Sequence, residues 1–116
     1  MKRFLLIMQQ NPYANSLALE GLEFAMALSS FNQTVTLLFK GDGVLQLLAK
    51  QDPEKMVCKD FSKIYSGLSV FGIEDVYIDQ NSMRNYDPND LFLVPKIVDE
   101  HQIVNLIKDH DIVLTL

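Results

Sequence analysis

Cys58 is the single thiol of this chain, so any cysteine chemistry falls on it. A thiol reacts as its thiolate, which requires a nearby cation, a histidine or a helix N-terminus, together with access to solvent. Cys58 stands just before a predicted helix, with Lys55 and Lys59 close in sequence. Met56 and Val57 precede it, and in that setting a cysteine is equally an ordinary small hydrophobe. The two histidines, His101 and His110, lie nine residues apart. They share no one-turn spacing, and no second His or Cys falls at metal-ligand spacing. Solvated or capping roles are expected for both, with no metal and no cofactor. Asp87, Asp90, Asp99 and Glu100 flank a proline loop and read as loop and cap residues. No set of nucleophile, base and orienting group can be assembled from these residues.

One glycine turn stands out. Val35 to Phe39 is a short apolar run without polar alternation, which suits a strand covered on both faces. Gly41-Asp42-Gly43 breaks it, and Val44, Leu45, Leu47 and Leu48 follow as a very apolar short helix or turn. A strand, a glycine turn and a helix form the corner where open α/β sheets place sites and contacts. The turn has neither the G-x-x-x-x-G-K-[ST] nor the G-x-G-x-x-G spacing, so it is no phosphate cradle. Asp42 is expected to cap the helix that follows. The turn helix carries more large apolar side chains than one buried face requires, which points to a subunit contact.

Around that corner the chain alternates strands and helices. Arg3 to Met8 is the first strand, followed by a polar loop held by Pro12. A helix runs from Asn15 or Ser16 to Ser30, with Ser16 as N-cap and Glu20 in its first turn. Ala18, Leu22, Ala25 and Leu28 form its buried stripe. Phe24 and Phe31 lie off that stripe and suit peripheral core or a subunit contact. A second amphipathic helix is expected over Lys59 to Phe71, through Phe61, Ile64, Tyr65, Leu68 and Phe71, and Gly72 ends it. Val76 to Asp79 is the third strand. Gln80 to Asp90 is a polar loop with one helical turn near Met83. The fourth strand lies within Leu91 to Val98, where Pro95 marks an edge or a strand start. Asp99 caps a last helix to about Asp109, with Ile103, Leu106 and Ile107 inward. Asp111 to Leu116 is the closing strand. This alternation predicts a three-layer α/β/α fold around a mostly parallel sheet of five strands.

Length and composition agree with one domain. The chain has 116 residues, of which 48% are apolar. Net charge is -5, which argues against direct nucleic-acid binding. No apolar run approaches the roughly 20 residues of a membrane span. The opening MKRFLLIMQQN has too short an apolar run for a signal peptide and reads as a strand. A lone cysteine excludes an internal disulfide and fits a reducing cytoplasm.

Several segments together resemble a known family. They are Met1-Lys2-Arg3 before an apolar strand, Glu20-Gly21-Leu22, Gly41-Asp42-Gly43-Val44-Leu45-Gln46-Leu47-Leu48, Gly72-Ile73-Glu74-Asp75-Val76, and Asp109-His110-Asp111-Ile112-Val113-Leu114. The match is to the DsrE/DsrF/DsrH group, nearest its DsrF-like, TusC-type branch, along essentially the whole chain. The resemblance implies a flavodoxin-like sheet. It also implies a cytoplasmic sulfur-relay complex, in which TusB-like and TusD-like subunits join this one in two copies each. That complex would pass persulfide sulfur from a TusA-like donor towards a TusE-like acceptor, both indirect partners of this chain, for 2-thiolation of the tRNA wobble uridine.

In this family the sulfur-carrying cysteine belongs to the TusD/DsrE-type subunit. Counted back from Gly72, its position here falls near Lys63 or Ile64, and Cys58 lies about one and a half helical turns earlier. The resemblance therefore implies a non-catalytic subunit. Three alternatives stay open. The chain could serve as a DsrF-like subunit in dissimilatory sulfur oxidation, as an active persulfide carrier through Cys58, or as a stand-alone homo-oligomeric binding protein.

Overall fold

The computed structural model describes residues 2–14, 16–48, 67–84, 86–91 and 95–116. The apolar runs form five strands: β1 Arg3–Met8, β2 Thr34–Phe39, β3 Asp75–Asp79, β4 Lys96–Val98 and β5 Ile112–Thr115. Every neighbouring pair is parallel, and the order across the sheet is β4-β3-β2-β1-β5. The expected parallel five-stranded sheet is present. Its order, which patterning alone left open, puts β1 and β2 near the centre and makes the short β4 and β5 its edges. Central parallel strands are covered on both faces, which explains their unbroken apolar runs. Alternate residues serve opposite faces. Leu6, Met8, Val35, Leu37 and Phe39 join one core cluster, and Leu5 and Leu38 join the other.

Helix α1, Leu17–Ser30, packs on the first face through Ala18, Gly21, Leu22 and Ala25. Three of these four are small, so the helix axis can lie close to the sheet. Helix α2, Glu100–Asp109, covers the other face through Ile103 and Leu106. Its start is a complete capping box: the Asp99 carboxylate accepts from the Gln102 N–H at 2.8 Å, and the Gln102 side chain accepts from the Asp99 N–H at 2.9 Å.

Several finer expectations are corrected. Ser16 occupies the N-cap of α1 in a helical conformation and makes no side-chain cap hydrogen bond, so Glu20 is the residue of that first turn placed to favour the helix dipole. Ile107 does not face inward and is 42% exposed, while Ile103 and Leu106 supply the face that packs on the sheet. Phe24 and Phe31 are not peripheral core, with exposures of 41% and 77%.

The glycine turn is a 3-10 helix over Gly41–Leu47. Val44, Gln46 and Leu47 are fully buried in it, while Leu45 and Leu48 are half-buried. The apolar surplus expected there is absent, because the tight 3-10 turn directs its side chains under the fold. Asp42 is not the cap either. Lys40 holds that position, and Asp42 lies exposed in the first turn.

Of the second amphipathic helix, residues 59–66 lie outside the described residues. Its expected end is a 3-10 turn, Leu68–Phe71, closed by Gly72 in the left-handed conformation at φ +81°, as the glycine suggested. Leu68 is buried there and Phe71 is largely exposed. The helical turn expected near Met83 is Gln80–Met83. The fourth strand is confined to Lys96–Val98 and begins directly after Pro95, while residues 92–94 lie outside the described residues.

Candidate functional site

All five strands run the same way, so their carboxyl ends gather at one edge, where parallel α/β sheets carry their sites. Three segments build that edge: the Gln9–Tyr13 loop after β1, the Gly41–Leu47 turn after β2 and the Gln80–Met83 turn after β3. Gly43 locks the first two together. A Cβ built on it would stand 1.8 Å from the Met8 carbonyl oxygen, so only glycine fits. The same oxygen accepts the Lys40 N–H at 3.1 Å. Gln46, fully buried, donates from Nε2 to the Gln10 carbonyl at 2.9 Å. Asp79 ends β3 as a buried carboxylate. The Ser82 hydroxyl donates to its Oδ2 at 2.8 Å, and the Ser82 oxygen accepts the Gly41 N–H at 2.8 Å. The three loops are thus cross-braced by polar groups with few rotamers to spare.

Among the described residues, two clefts open on this edge, one on each face. On the α1 face, about 310 Å³ lies between Gln10, Leu17, Glu20, Phe24, Thr115 and Leu116, with Gly21 as its floor. It sits where the strand order turns, since β1 leads to β2 on one side and β5 returns on the other. Among the described residues its walls are mainly apolar, and Glu20 is the one charged side chain there. On the α2 face, a polar cleft of about 320 Å³ lies between Lys40, Asp79, Asn81, Glu100, Ile103 and Val104.

Of the chemistry-bearing residues singled out in the sequence, Glu100 lines the polar cleft, and the other described ones do not gather there. Cys58, with Lys55 and Lys59, lies outside the described residues. His101 is exposed on the first turn of α2. His110 is at the opposite, amino edge of the sheet. Its Nδ1 lies 2.6 Å from the Leu106 carbonyl, and its Nε2 lies 2.8 Å from the Thr36 hydroxyl oxygen. A carbonyl only accepts, so Nδ1 carries the hydrogen and the ring caps the end of α2. Neighbouring Asp111 accepts the Arg3 N–H at 2.8 Å and returns its own N–H to the Arg3 carbonyl at 2.9 Å. The Asp109-His110-Asp111 segment therefore registers β5 against β1. Asp87 caps a short 3-10 turn through the Asn89 N–H at 2.9 Å. Among the described residues, no three His, Cys, Asp or Glu side chains group as a metal site, and no helix is long and apolar enough to cross a membrane.

Sequence reasoning placed Phe24 and Phe31 off the buried stripe but missed the stripe they form with Leu17, and it passed over two buried polar residues. Leu17, Phe24 and Phe31 recur every seven residues along α1 and are all substantially exposed. The seven-residue spacing was the available signal, once these residues failed to join the buried stripe. Asp79 and Gln46 are the other omission: polar residues at or within apolar runs, buried because loop carbonyls and hydroxyls meet them.

The chain matches the model of the DsrE/DsrF-like family over residues 2–116. A TusC homolog of Pseudomonas aeruginosa is 32% identical over 114 residues, covering 97% of this chain and 96% of that one. A TusC homolog of Aliivibrio fischeri is 35% identical over 85 residues, covering 73% and 72%. TusC of Buchnera aphidicola subsp. Baizongia pistaciae is 28% identical over 117 residues, with 98% of each chain covered. The crystal structure of the ychN protein from E. coli superposes with a TM-score of 0.80 over the whole of both chains at 18% identity, a likeness of fold. With a parallel sheet of this order and a family match from the second residue to the last, the chain belongs to the DsrE/DsrF-like family.

Proposed function

We propose that this chain is the TusC-type subunit of a cytoplasmic sulfur-relay complex that supports 2-thiolation of the tRNA wobble uridine. The reading is carried by one observation: end-to-end similarity to proteins named TusC, at 32% identity over 97% of the chain in one case. As a single domain it joins TusB-like and TusD-like subunits, two copies of each, between a TusA-like donor and a TusE-like acceptor. Its own part is structural. The family's relay position falls near Lys63 or Ile64 when counted from Gly72, and neither is a cysteine. The net charge of -5 is consistent with leaving tRNA contact to other components.

Deletion of the gene tests the reading. The deletion strain should lose 2-thiouridine from its wobble position, measured by mass spectrometry of digested tRNA, and the cloned chain should restore it. Unchanged thiolation in the deletion strain defeats the proposal.

A further inference from the structure

We propose that the outer shoulder of α1, together with the carboxyl end of β5, docks a partner protein that presents large apolar side chains framed by basic ones. This rests on the reading above, in which the partner is a TusB-like or TusD-like subunit and not a second copy of this chain.

Leu17, Phe24 and Phe31 are 47%, 41% and 77% exposed. At about 100° per residue a seven-residue step nearly closes two turns, so the three side chains form one stripe about 21 Å long. The stripe is separate from the core-facing side, which Ala18, Leu22 and Ala25 already fill. Beside it lies the cleft of about 310 Å³ floored by Gly21 and closed by Leu116. That is room for about ten waters at roughly 30 Å³ each, or for an inserted aromatic side chain. Next to it runs β5, an edge strand paired on one side only among the described strands. A covered stripe, a filled cleft and a protected edge are what a protein partner provides.

Charge chooses among partners. Helix α1 carries Glu20 and Glu23 and no basic residue, and both glutamates lie exposed on the solvent side of the stripe. Neither has an ion pair among the described residues. A second copy would bring acidic helix to acidic helix on molecules each carrying -5. A basic-rimmed partner instead gains attraction and faster encounter.

The test uses the full chain co-expressed with its TusB-like and TusD-like subunits, with assembly read by native mass spectrometry and affinity by titration. Phe24→Glu and Phe31→Glu change exposed sites, so the fold should persist, checked by circular dichroism. Each should weaken assembly at least tenfold. Glu20→Lys with Glu23→Lys should weaken it several-fold and flatten its salt dependence. Ile107→Glu, on the opposite face, should assemble as wild type does. The inference is overturned if wild type assembles and the two Phe variants assemble equally well, which leaves the proposed function standing. It is also overturned if the lysine variant binds more tightly, or if wild type self-associates through this stripe. Wild type that ignores both subunits removes the proposed function, and this inference with it.

Discussion

Gly43 lies against the end of β1, so close that a Cβ on it would stand 1.8 Å from the Met8 carbonyl oxygen and 2.7 Å from the carbonyl carbon. Both neighbours are backbone, so neither can swing aside as a flexible side chain would. Gly43→Ala must displace the glycine turn or the end of a central strand. We expect a loss of about 3 kcal/mol, the upper end for overpacking, read as a lower urea midpoint. Gly41 is the control. It has φ +57° with open space around it, so Gly41→Ala meets only left-handed strain, about 1–2 kcal/mol. Equal costs at the two positions would count against the close approach.

His110 ties α2 to the centre of the sheet through Leu106 and Thr36. The Thr36 side chain is nearly fully buried, so losing the imidazole removes its partner where water does not easily replace it. His110→Ala should cost about 1–3 kcal/mol in unfolding free energy. Thr36→Val should cost less, because the half-buried ring can turn to solvent. A double-mutant cycle should give a coupling near 1 kcal/mol, and additive losses would show that the contact contributes nothing.

The two helix starts differ in a way that stability can read. Asp99 closes a full capping box, so Asp99→Ala should destabilise by about 1 kcal/mol. Ser16 makes no side-chain cap bond, so Ser16→Ala should stay within about 0.5 kcal/mol of wild type. Thermal unfolding of both variants decides it, and similar shifts would mean that Ser16 caps in solution.

The layers of the fold were legible because burial writes itself into local pattern. Val35 to Phe39 is apolar throughout because β2 is central, and Asp99 marks the start of α2 as its cap. What patterning missed depends on contacts distant in sequence. Nothing near Gly43 reveals that Met8 lies above it. Val44 and Leu47 looked like surplus surface because the backbone that covers them lies elsewhere in the chain. Phe24 and Phe31 were visible as off-stripe aromatics, yet their exposure follows from α1 using small residues, Ala18, Gly21 and Ala25, to reach the sheet. At the amino edge, His110 gave no local sign of Thr36, 74 residues away, and Cys58 lies outside the described residues.

The place of Cys58 in the sequence supplies the last prediction. Gly72 closes the Leu68–Phe71 turn in the left-handed conformation at φ +81°, and it is the point in the sequence from which the resemblance counts back. On that count the relay position implied by the family resemblance falls near Lys63 or Ile64, five or six residues after Cys58 in the sequence. Cys58→Ser should therefore restore wobble-uridine thiolation in the deletion strain to the wild-type level. The purified wild-type chain, mixed with a persulfide-loaded TusA-like donor, should gain no sulfur mass at Cys58. If thiolation falls while the variant still folds and assembles, Cys58 carries sulfur, and the chain is a relay member in its own right.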